Sequence, residues 1–482
     1  MYCLRELLKR VEPAREIWYA PGRGPVCAGD IARFIERREA VRGQVRGKQV
    51  ALHAVADEQF APLLVLLDGA CRQITLLPTS LTPDRLAAIL ARSGSEILVA
   101  AGQQTLPLGT CEVLPVDVAP LWEPGDAEGR TGCRTEPENP SAEQLTAQPA
   151  AVQGSRWVLP TSGTTGVPKL VAHTLASLTR SAKGDLSRGR EYRWGSLYNL
   201  TGFAGLQVFL QSWCGGSCLI LGRQSPSLSD RVADLIAGGC TALSATPTMW
   251  RKLLMACPVA VEKLLLRQIT LGGEIVDQKI LDALQRAFPG ARITHIYAST
   301  EAGVGFAVRD GLAGFPASYL DHPPRGVRLA VDDQGQLLLR ADCDEQEYVD
   351  GTAQLKRADG FVDTGDLVTR RGDRFYFLGR ANGTINVGGN KVHPEEVEGC
   401  LLGCEGVQFA RVTRRKSPFT GELVQAEVVP QPNCSLGPEE LKKTLIAHCR
   451  AELAPYKVPA VVKLVPELEA TASGKLKRAE EL

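Results

Sequence analysis

Nine residues from Thr161 to Lys169 form a loop whose composition suits the binding of a polyphosphate. They read Thr-Ser-Gly-Thr-Thr-Gly-Val-Pro-Lys and follow an apolar, strand-like run, Trp157-Val158-Leu159. Glycines let the backbone approach a ligand closely and adopt positive φ, so that exposed N–H groups can point at anionic oxygens. The hydroxyl groups add donors without bulk, and the lysine adds a positive charge. We therefore predict a phosphate-binding loop that contains Thr161, Ser162, Gly163, Thr164, Thr165, Gly166 and Lys169.

The spacing of the two glycines argues against the Walker A motif. That motif needs four residues between its first glycine and a Gly-Lys-Ser/Thr triplet. Here only Thr164 and Thr165 separate the glycines, and Val-Pro precedes the lysine. A P-loop NTPase, which removes the γ-phosphate of ATP, is therefore a disfavoured alternative.

Further motifs that could bind a nucleotide follow downstream. Tyr297-Ala298-Ser299-Thr300-Glu301 ends in a carboxylate, the kind of ligand that a hard cation on ATP phosphates prefers. Asp363-Thr364-Gly365-Asp366 also ends in a carboxylate, which is a natural acceptor for a diol such as ribose. Close to the C-terminus, the segment from Thr471 to Arg478 carries Lys475, whose charge suits negative charge that develops on phosphate oxygens.

Together these motifs resemble the adenylate-forming superfamily, which contains acyl- and aryl-CoA synthetases, peptide-synthetase adenylation domains and firefly luciferase. The matching strings are Ser-Gly-Thr-Thr-Gly-x-Pro-Lys, Tyr-x-x-Thr-Glu, Thr-Gly-Asp, Gly-Arg and Ser-Gly-Lys-x-x-Arg. The resemblance runs from about residue 50 to residue 478. Ala298 departs from the pattern, because the family usually has glycine at this position.

The resemblance implies a role for each matching residue. Tyr297 would pack near adenine, Thr300 would contact the α-phosphate, and Glu301 would bind Mg2+. Asp366 would accept hydrogen bonds from the ribose hydroxyls. Lys475 would bridge the substrate carboxylate and the α-phosphate. The remaining cofactor-binding candidates lie along adenine, the phosphates or the pantetheine tunnel, and they are Gly272, Gly273, Glu274, Ala298, Ser299, Arg380, Gly388 and Gly389.

The candidate acid pocket contains a second departure from the family pattern. Residues 196 to 205 align with the family segment Pro-Leu-Phe-His-x-x-Gly, and Asn199 stands where the family has an aromatic or histidine gate. Asn199 either hydrogen-bonds a polar acid or satisfies backbone groups. No aspartate is placed to pair with an α-amino group, so an aryl or acyl acid is favoured over an ordinary amino acid. The predicted pocket residues are Asn199, Gly202, Gly273 and Ala298.

Bulk properties exclude several classes of protein. The chain has 482 residues and a net charge of +1, so electrostatics give no reason to expect a nucleic acid or a membrane surface as partner. Its 14 cysteines include no Cys-x-x-Cys pair and suit a reducing compartment. Residues 1 to 10 form an amphipathic helix candidate rather than a signal peptide, and no run approaches the roughly 18 apolar residues of a membrane span. We predict a cytoplasmic protein.

The predicted fold class is α/β. Residues 50 to 118 alternate strand-like and helix-like runs, which indicates a parallel sheet with helices on both faces, and residues 325 to 380 are β-rich. Within the first stretch, Leu81 to Ser93 reads as a helix with Thr82 at its N-cap and Pro83 in its first turn, and a further helix-like segment begins at about Leu175. Residues 120 to 153 read as a surface connection. The resemblance implies an N-terminal domain, residues 1 to 381, of two α/β subdomains and a β-rich subdomain. A small mobile α+β domain, residues 382 to 482, would follow and turn about Asn382.

The activity implied is acid activation in two steps. A carboxylate attacks the α-phosphate of Mg-ATP to give an acyl- or aryl-adenylate and pyrophosphate, and a thiol then attacks the adenylate. CoA and the phosphopantetheine of an acyl or aryl carrier protein are both possible acceptors. A non-catalytic adenylate-binding protein is an alternative that the complete set of motif residues disfavours. The basic residues Arg411, Arg414, Arg415 and Lys416 are either a solvated edge or a docking site for an acidic carrier or a CoA phosphate.

Overall fold

The structure is a computed structural model that describes most of the chain. It covers residues 3–79, 81–102, 111–122, 154–161, 168–223, 225, 227–324, 326–342, 346–349, 351, 354–417, 421–469 and 475–476. The predictions for Ser162, Gly163, Thr164, Thr165 and Gly166 lie outside the described residues, as does most of the surface connection at 120 to 153.

The helices are short to medium in length and are spread along the chain. In chain order, the α-helices are α1 (Ala28–Glu36), α2 (Glu39–Val45), α3 (Asp57–Leu67), α4 (Pro83–Ser93), α5 (Leu175–Thr179), α6 (Leu186–Gly189), α7 (Phe203–Gly215), α8 (Leu228–Ala237), α9 (Pro247–Ala256), α10 (Pro258–Glu262), α11 (Gln278–Ala287), α12 (Pro394–Gly403) and α13 (Pro438–Glu452). Short 3₁₀ helices lie at Leu4–Lys9, Ala119–Leu121, Ala317–Tyr319, Ala381–Gly383 and Pro455–Lys457.

The strands fall into an N-terminal group and a C-terminal group. The first group is β1 (Glu16–Ala20), β2 (Gly24–Cys27), β3 (Gln49–His53), β4 (Gln73–Leu76), β5 (Ile97–Ala101), β6 (Glu112–Val116), β7 (Arg156–Thr161), β8 (Lys169–His173), β9 (Arg193–Ser196), β10 (Cys218–Ile220) and β11 (Ala242–Ala245). The second group is β12 (Gln268–Gly272), β13 (Arg292–Ser299), β14 (Gly303–Val308), β15 (Phe315–Pro316), β16 (Val327–Val331), β17 (Gln336–Ala341), β18 (Glu347–Tyr348), β19 (Val362–Arg371), β20 (Arg374–Arg380), β21 (Ile385–Val387), β22 (Asn390–Val392), β23 (Val407–Ser417), β24 (Gly421–Pro430) and β25 (Val461–Leu464).

These elements form two compact units. The first unit comprises Met1–Ser244, Leu253–Ile269 and Cys343–Leu355, and the second comprises Ala245–Lys252, Thr270–Asp342 and Lys356–Leu482. The domain boundary after residue 381 stays a prediction.

The first unit contains the predicted α/β layers. Its seven-stranded sheet has the order β18-β8-β7-β4-β3-β5-β6, and β7, β4, β3, β5 and β6 are parallel neighbours. The predicted alternation β3-α3-β4-α4-β5 is confirmed. Helix α4 starts as predicted, because the Thr82 hydroxyl accepts a hydrogen bond from the Arg85 N–H at 3.4 Å and Pro83 occupies the first helical position.

A second sheet in the first unit brings the N-terminus into the core. Strands β11, β9, β10, β1 and β2 are neighbours in this order, and Trp18 of β1 packs on Trp213 of α7 with 5.6 Å between ring centroids. The predicted N-terminal helix is a six-residue 3₁₀ helix, Leu4–Lys9, rather than an α-helix. Its Leu4 N–H donates to the buried Asp68 carboxylate at 2.7 Å, and its Leu4 carbonyl accepts from the Trp213 indole at 2.9 Å.

The second unit is richer in antiparallel strands, and residues 325 to 380 are β-rich as predicted. One five-stranded sheet has the order β15-β20-β19-β17-β16, and β13 pairs antiparallel with β14. The C-terminal part has the sheet order β22-β21-β24-β23, with β25 parallel to β24. Its core contains Val397 of α12 and Leu445 of α13 with side chains from that sheet.

Candidate active site

The two ends of the predicted phosphate loop lie opposite each other in the first unit. Thr161 ends β7, Lys169 begins β8, and the two residues are direct partners in this antiparallel pair. The Arg92 guanidinium donates to the carbonyl of Pro168 at 2.8 Å, which anchors the second end. Lys169 is exposed, and its Nζ lies 5.2 Å from the centre of the Tyr348 ring. The strand predicted before the loop and the helix predicted from Leu175 are both confirmed.

The predicted ribose-binding carboxylate lies in the second unit, on β19. Asp366 pairs across the sheet with Arg380 of β20, and this register brings Arg380 Nε to 3.1 Å from Asp366 Oδ1. The Tyr297 hydroxyl donates to the other carboxylate oxygen, Oδ2, at 2.6 Å. Three residues from three separate motifs are therefore joined in one cluster.

The protonation states of this cluster follow from burial and from neighbouring charges. Burial raises the pKa of Tyr297 well above its ordinary value, and the negative charge of Asp366 raises it further, so the hydroxyl remains a donor. Burial alone would lower the pKa of Arg380, but the carboxylates of Asp366 and Glu301 more than offset this effect and raise it. The Arg380 side chain is 53% exposed, so this guanidinium can also reach a ligand.

The ring of Tyr297 is fixed by two phenylalanines. Its centroid lies 5.2 Å from that of Phe306 and 5.0 Å from that of Phe377, with interplanar angles of 23° and 21°. The register of β13 and β14 shifts between Tyr297 and Ala298, which marks a bulge. Ala298 fits this bulge without strain, because in the described part of the chain only glycines have positive φ.

Thr300 and Glu301 lie in the turn that joins β13 to β14. Ser299 holds this turn, because its hydroxyl accepts from the Ala302 N–H at 3.0 Å. Glu301 is half-buried, and among the described residues it makes no hydrogen bond and no salt bridge. Its negative charge helps to raise the pKa of Arg380, and carboxylate oxygens are the ligands that a hard cation such as Mg2+ prefers, in keeping with the predicted role.

The predicted catalytic lysine lies beside the Gly-Gly-Glu segment. Gly273 has a φ of 84°, and a Cβ at this position would lie 3.2 Å from Lys475 Cε. The next residue, Glu274, accepts the Leu476 N–H at 3.1 Å through Oε1. Both contacts lie within the second unit, which therefore holds Asp366, Arg380, Glu301 and Lys475.

Glu274, which is predicted to lie along adenine and the acyl pocket, has further partners within the protein. Its carboxylate also accepts from the Thr248 N–H at 2.9 Å and from the Thr248 hydroxyl at 3.0 Å. Motif matching could not reveal these bonds, because the residues involved are 26 and 202 positions away in sequence.

Asn199 directs its hydrogen bonds towards the protein. Its Oδ1 accepts from the N–H and the hydroxyl of Thr201, at 3.0 and 2.9 Å, and its Nδ2 donates to the Thr79 hydroxyl at 2.8 Å. Of the two interpretations of Asn199, these contacts favour the satisfaction of neighbouring groups. Gly202 is the N-cap of α7, immediately after this turn.

The predicted hinge and tunnel residues lie on exposed turns of the second unit. Asn382 is in the 3₁₀ turn Ala381–Gly383 that follows β20. Gly388 and Gly389 have φ values of 56° and 89° and form the tight turn between β21 and β22. A Cβ added to either glycine would meet no atom within 4 Å, so space would not prevent a ligand from approaching this turn.

The basic cluster on β23 is paired with acidic residues of β24. Arg411 faces Glu427 across the sheet, and its Nε donates to Glu427 Oε2 at 2.9 Å. Arg414 Nη1 lies 3.6 Å from Glu422 Oε1. These pairs favour the interpretation of the cluster as a solvated strand edge.

Comparisons with known proteins assign the family. The description "AMP-binding enzyme" matches residues 70 to 343, and "AMP-binding enzyme C-terminal domain" matches residues 396 to 475. The chain therefore belongs to the AMP-binding enzyme family. This assignment confirms the resemblance to adenylate-forming enzymes and the predicted α/β fold class with a larger N-terminal and a smaller C-terminal domain.

Individual relatives differ in the acceptor that their names give. Human mitochondrial acyl-coenzyme A synthetase ACSM4 is 31% identical over 348 residues, which cover 66% of this chain and 59% of that protein. The chain thus spans less than two thirds of the length of this relative. The Mycobacterium marinum fatty acid–[acyl-carrier-protein] ligase MmaC is 27% identical over 473 residues, which cover 90% of this chain and 85% of that protein.

Solved structures share the fold at low sequence identity. The anthranilate CoA ligase AuaEII with anthranoyl-AMP has a TM-score of 0.77 at 20% identity and covers 98% of this chain and 95% of its own. The amide bond synthetase McbA from Marinactinospora thermotolerans has a TM-score of 0.73 at 20% identity, with 98% of both chains covered. No helix within the described ranges is both long and apolar enough to cross a bilayer.

Proposed function

We propose that this chain uses ATP to activate a carboxylic acid and then transfers the acyl group to the thiol of CoA. In the first step a carboxylate oxygen bonds to the α-phosphorus, and the bond from that phosphorus to the bridging oxygen breaks to release pyrophosphate. In the second step the thiol sulfur bonds to the acyl carbon, its proton is lost, and AMP leaves. The observation that carries the proposal is the position of Lys475 beside Gly273 and Glu274, in the same unit as the Asp366–Arg380 pair.

Each side chain has a role that suits its surroundings. Asp366 accepts hydrogen bonds from the ribose hydroxyls while Tyr297 and Arg380 hold its two oxygens. Lys475 offers positive charge to the oxygens of the α-phosphate as charge builds there. Thr161 and Lys169 lie at the ends of a loop whose backbone N–H groups suit the phosphates. Bound Mg2+, held by Glu301, would neutralise charge on the phosphates.

A carrier-protein phosphopantetheine is the second candidate acceptor. It is favoured by the match to a fatty acid–[acyl-carrier-protein] ligase, which extends over 90% of this chain. CoA is named by the acyl-coenzyme A synthetases that match over 66% of the chain. Arg411 and Arg414 pair with acidic neighbours on β24, which does not favour a docking site for an acidic carrier protein on that strand edge.

A pyrophosphate-release screen tests the proposal. The purified chain is incubated with Mg-ATP and a panel of aryl, fatty and amino acids, with and without CoA. We expect release with certain aryl or fatty acids and a CoA-dependent increase with formation of a thioester. Acid-dependent release that CoA does not change would indicate a carrier protein, whereas phosphate release, or nucleotide binding without turnover, would contradict the proposed function.

A further inference from the structure

We propose that Glu274 is a positioning residue that holds the segment carrying Lys475 in the orientation needed for adenylation. This inference rests on the proposed function, because it assigns a role in the first of the two steps. It goes beyond that proposal by identifying the group that keeps the lysine in place, namely a carboxylate that binds the backbone one residue beyond it.

The Glu274 carboxylate is anchored to the first turn of α9. Pro247 opens this helix and has no N–H, and the Met249 N–H donates to the Thr246 hydroxyl at 3.1 Å. The remaining N–H of that turn belongs to Thr248 and donates to Glu274 Oε2 at 2.9 Å. An anion at a helix N-terminus satisfies an unpaired donor and is favoured by the helix dipole. The carboxylate therefore has a fixed position before it meets the C-terminal segment.

The beginning of α9 is itself attached to its surroundings in the second unit. The Trp250 indole donates to the Thr270 carbonyl of β12 at 3.2 Å, and Arg251 forms a salt bridge with Asp277. Gly273 and Glu274 follow directly after β12. The carboxylate and the helix turn that orients it thus belong to one rigid part of the unit.

Two consecutive residues of this part contact two consecutive residues of the C-terminal segment. Gly273 faces the Lys475 side chain, where a Cβ would lie 3.2 Å from Cε, and Glu274 Oε1 accepts from the Leu476 N–H at 3.1 Å. A contact to one side chain and to the next backbone group fixes both the position and the direction of a chain. Because the Leu476 bond exists only while the segment is docked, it favours the docked orientation over any other.

Removal of the carboxylate should therefore affect the adenylation step specifically. A hydrogen bond with one charged partner is among the stronger polar contacts, so we expect Glu274→Ala to lower kcat for acid-dependent pyrophosphate release by about tenfold. The KM for ATP should change by less than about twofold, because Lys475 acts on charge that builds in the transition state. The rate of thioester formation from supplied acyl-adenylate should change as little, because that step does not use docked Lys475. Equal losses in both half-reactions would contradict the proposal.

A double-variant cycle separates positioning from general damage. If Glu274 acts through Lys475, adding Glu274→Ala to Lys475→Ala should cost less than about twofold in residual adenylation, because the group being positioned is already gone. A further loss of about tenfold in that background would overturn the proposal. Thr248→Val, which keeps two of the three bonds to Glu274, is the matched control and should retain most adenylation activity.

Hydrogen exchange provides a readout that does not depend on catalysis. We expect the Leu476 amide to exchange faster in Glu274→Ala than in the unsubstituted chain or in Thr248→Val, with the exchange of the β12 amides unchanged. Faster exchange in a chain that activates no acid would support the Glu274–Leu476 contact but contradict the proposed function. Unchanged exchange in a chain that does activate an acid would contradict the positioning role of Glu274 alone.

Discussion

Asp366 is held by a different donor at each oxygen, and this arrangement orients it for a diol. Arg380 lies at Oδ1 and Tyr297 at Oδ2. Tyr297 is a dependable donor because burial and the adjacent carboxylate raise its pKa. Each carboxylate oxygen has a second lone pair, which under the proposed function accepts from a ribose hydroxyl.

Tyr297→Phe tests this orientation at a single atom. The ring keeps its stacking on Phe306 and Phe377, but Asp366 loses the donor at Oδ2. Leaving a partly buried acceptor without its donor costs free energy, so we expect KM for ATP to rise about fivefold, with little change in kcat. Preference for ATP over 2′-deoxy-ATP should fall in steady-state assays. Tyr319→Phe is the control, because it removes a hydroxyl that donates to the Ala307 carbonyl at 3.2 Å. It should leave KM for ATP and the preference for ATP over 2′-deoxy-ATP unchanged.

Residue motifs indicated candidate site residues but not the partners that these residues have in the fold. The sequence indicated Asp366, Arg380 and Lys475 as site residues, and the structure brings them into one unit with Glu301. It could not indicate that Glu274 binds Leu476, because that bond joins two segments 202 residues apart. Nor could it decide between the two interpretations of Asn199, since its partners Thr79 and Thr201 are revealed only by folding.

Elements were predictable where local signals agreed. Helix α4 has a capping threonine, a proline at its first position and a glycine at its end with a φ of 63°, and its predicted boundary is within two residues of the observed one. Strands β1 and β2 were not predicted. β1 pairs with β10, some 200 residues later, and such non-local pairing leaves little trace in a short window of sequence.

Helix α7 depends on a glycine that faces backbone rather than open space. A Cβ at Gly205 would lie 2.1 Å from the Asn199 carbonyl oxygen, in the turn that precedes the helix. Because backbone cannot move aside as a flexible side chain can, we expect Gly205→Ala to destabilise the fold by about 1–3 kcal/mol, despite the better helix propensity of alanine. Gly43→Ala in α2, where a Cβ would meet nothing within 4 Å, is the matched control. Thermal unfolding should show a lower midpoint for the first variant and an equal or higher one for the second.

At the scale of the whole molecule, stability should respond to pH through Asp68. This buried carboxylate accepts from the Leu4 N–H at 2.7 Å and from the Trp157 indole at 3.0 Å, and so ties the N-terminus to β7. Burial outweighs these bonds and raises its pKa from 3.8 to about 6. A group with a higher pKa in the folded state contributes stability that is complete below pH 3.8 and is lost as the pH rises through 6.

Asp68→Asn removes that pH dependence. Asparagine cannot accept from both donors through two oxygens, so the variant should be less stable at every pH. The difference in the free energy of unfolding between the variant and the unsubstituted chain should narrow by about 2 kcal/mol between pH 4.5 and pH 8. Only the chain with Asp68 loses stability over this interval. Denaturant unfolding followed by tryptophan fluorescence measures the difference. A deficit that is constant with pH would show that Asp68 is ionised throughout.

Under the proposed function, Lys475 links the predicted small C-terminal domain to one half-reaction only. Its docked position beside Gly273 suits adenylation, and the resemblance implies that rotation about Asn382 replaces it with Gly388 and Gly389 for thioester formation. We expect Lys475→Ala to lower acid-dependent pyrophosphate release by about a hundredfold or more, because a preorganised charge at the α-phosphate is lost. Thioester formation from CoA and supplied acyl-adenylate should stay within about twofold, since the rotated domain presents a different surface to the intermediate. Lys477→Ala, two residues further on, controls for loss of charge in this segment. If both half-reactions fall together in Lys475→Ala, one fixed orientation serves both steps, and the lysine does not leave the site between them.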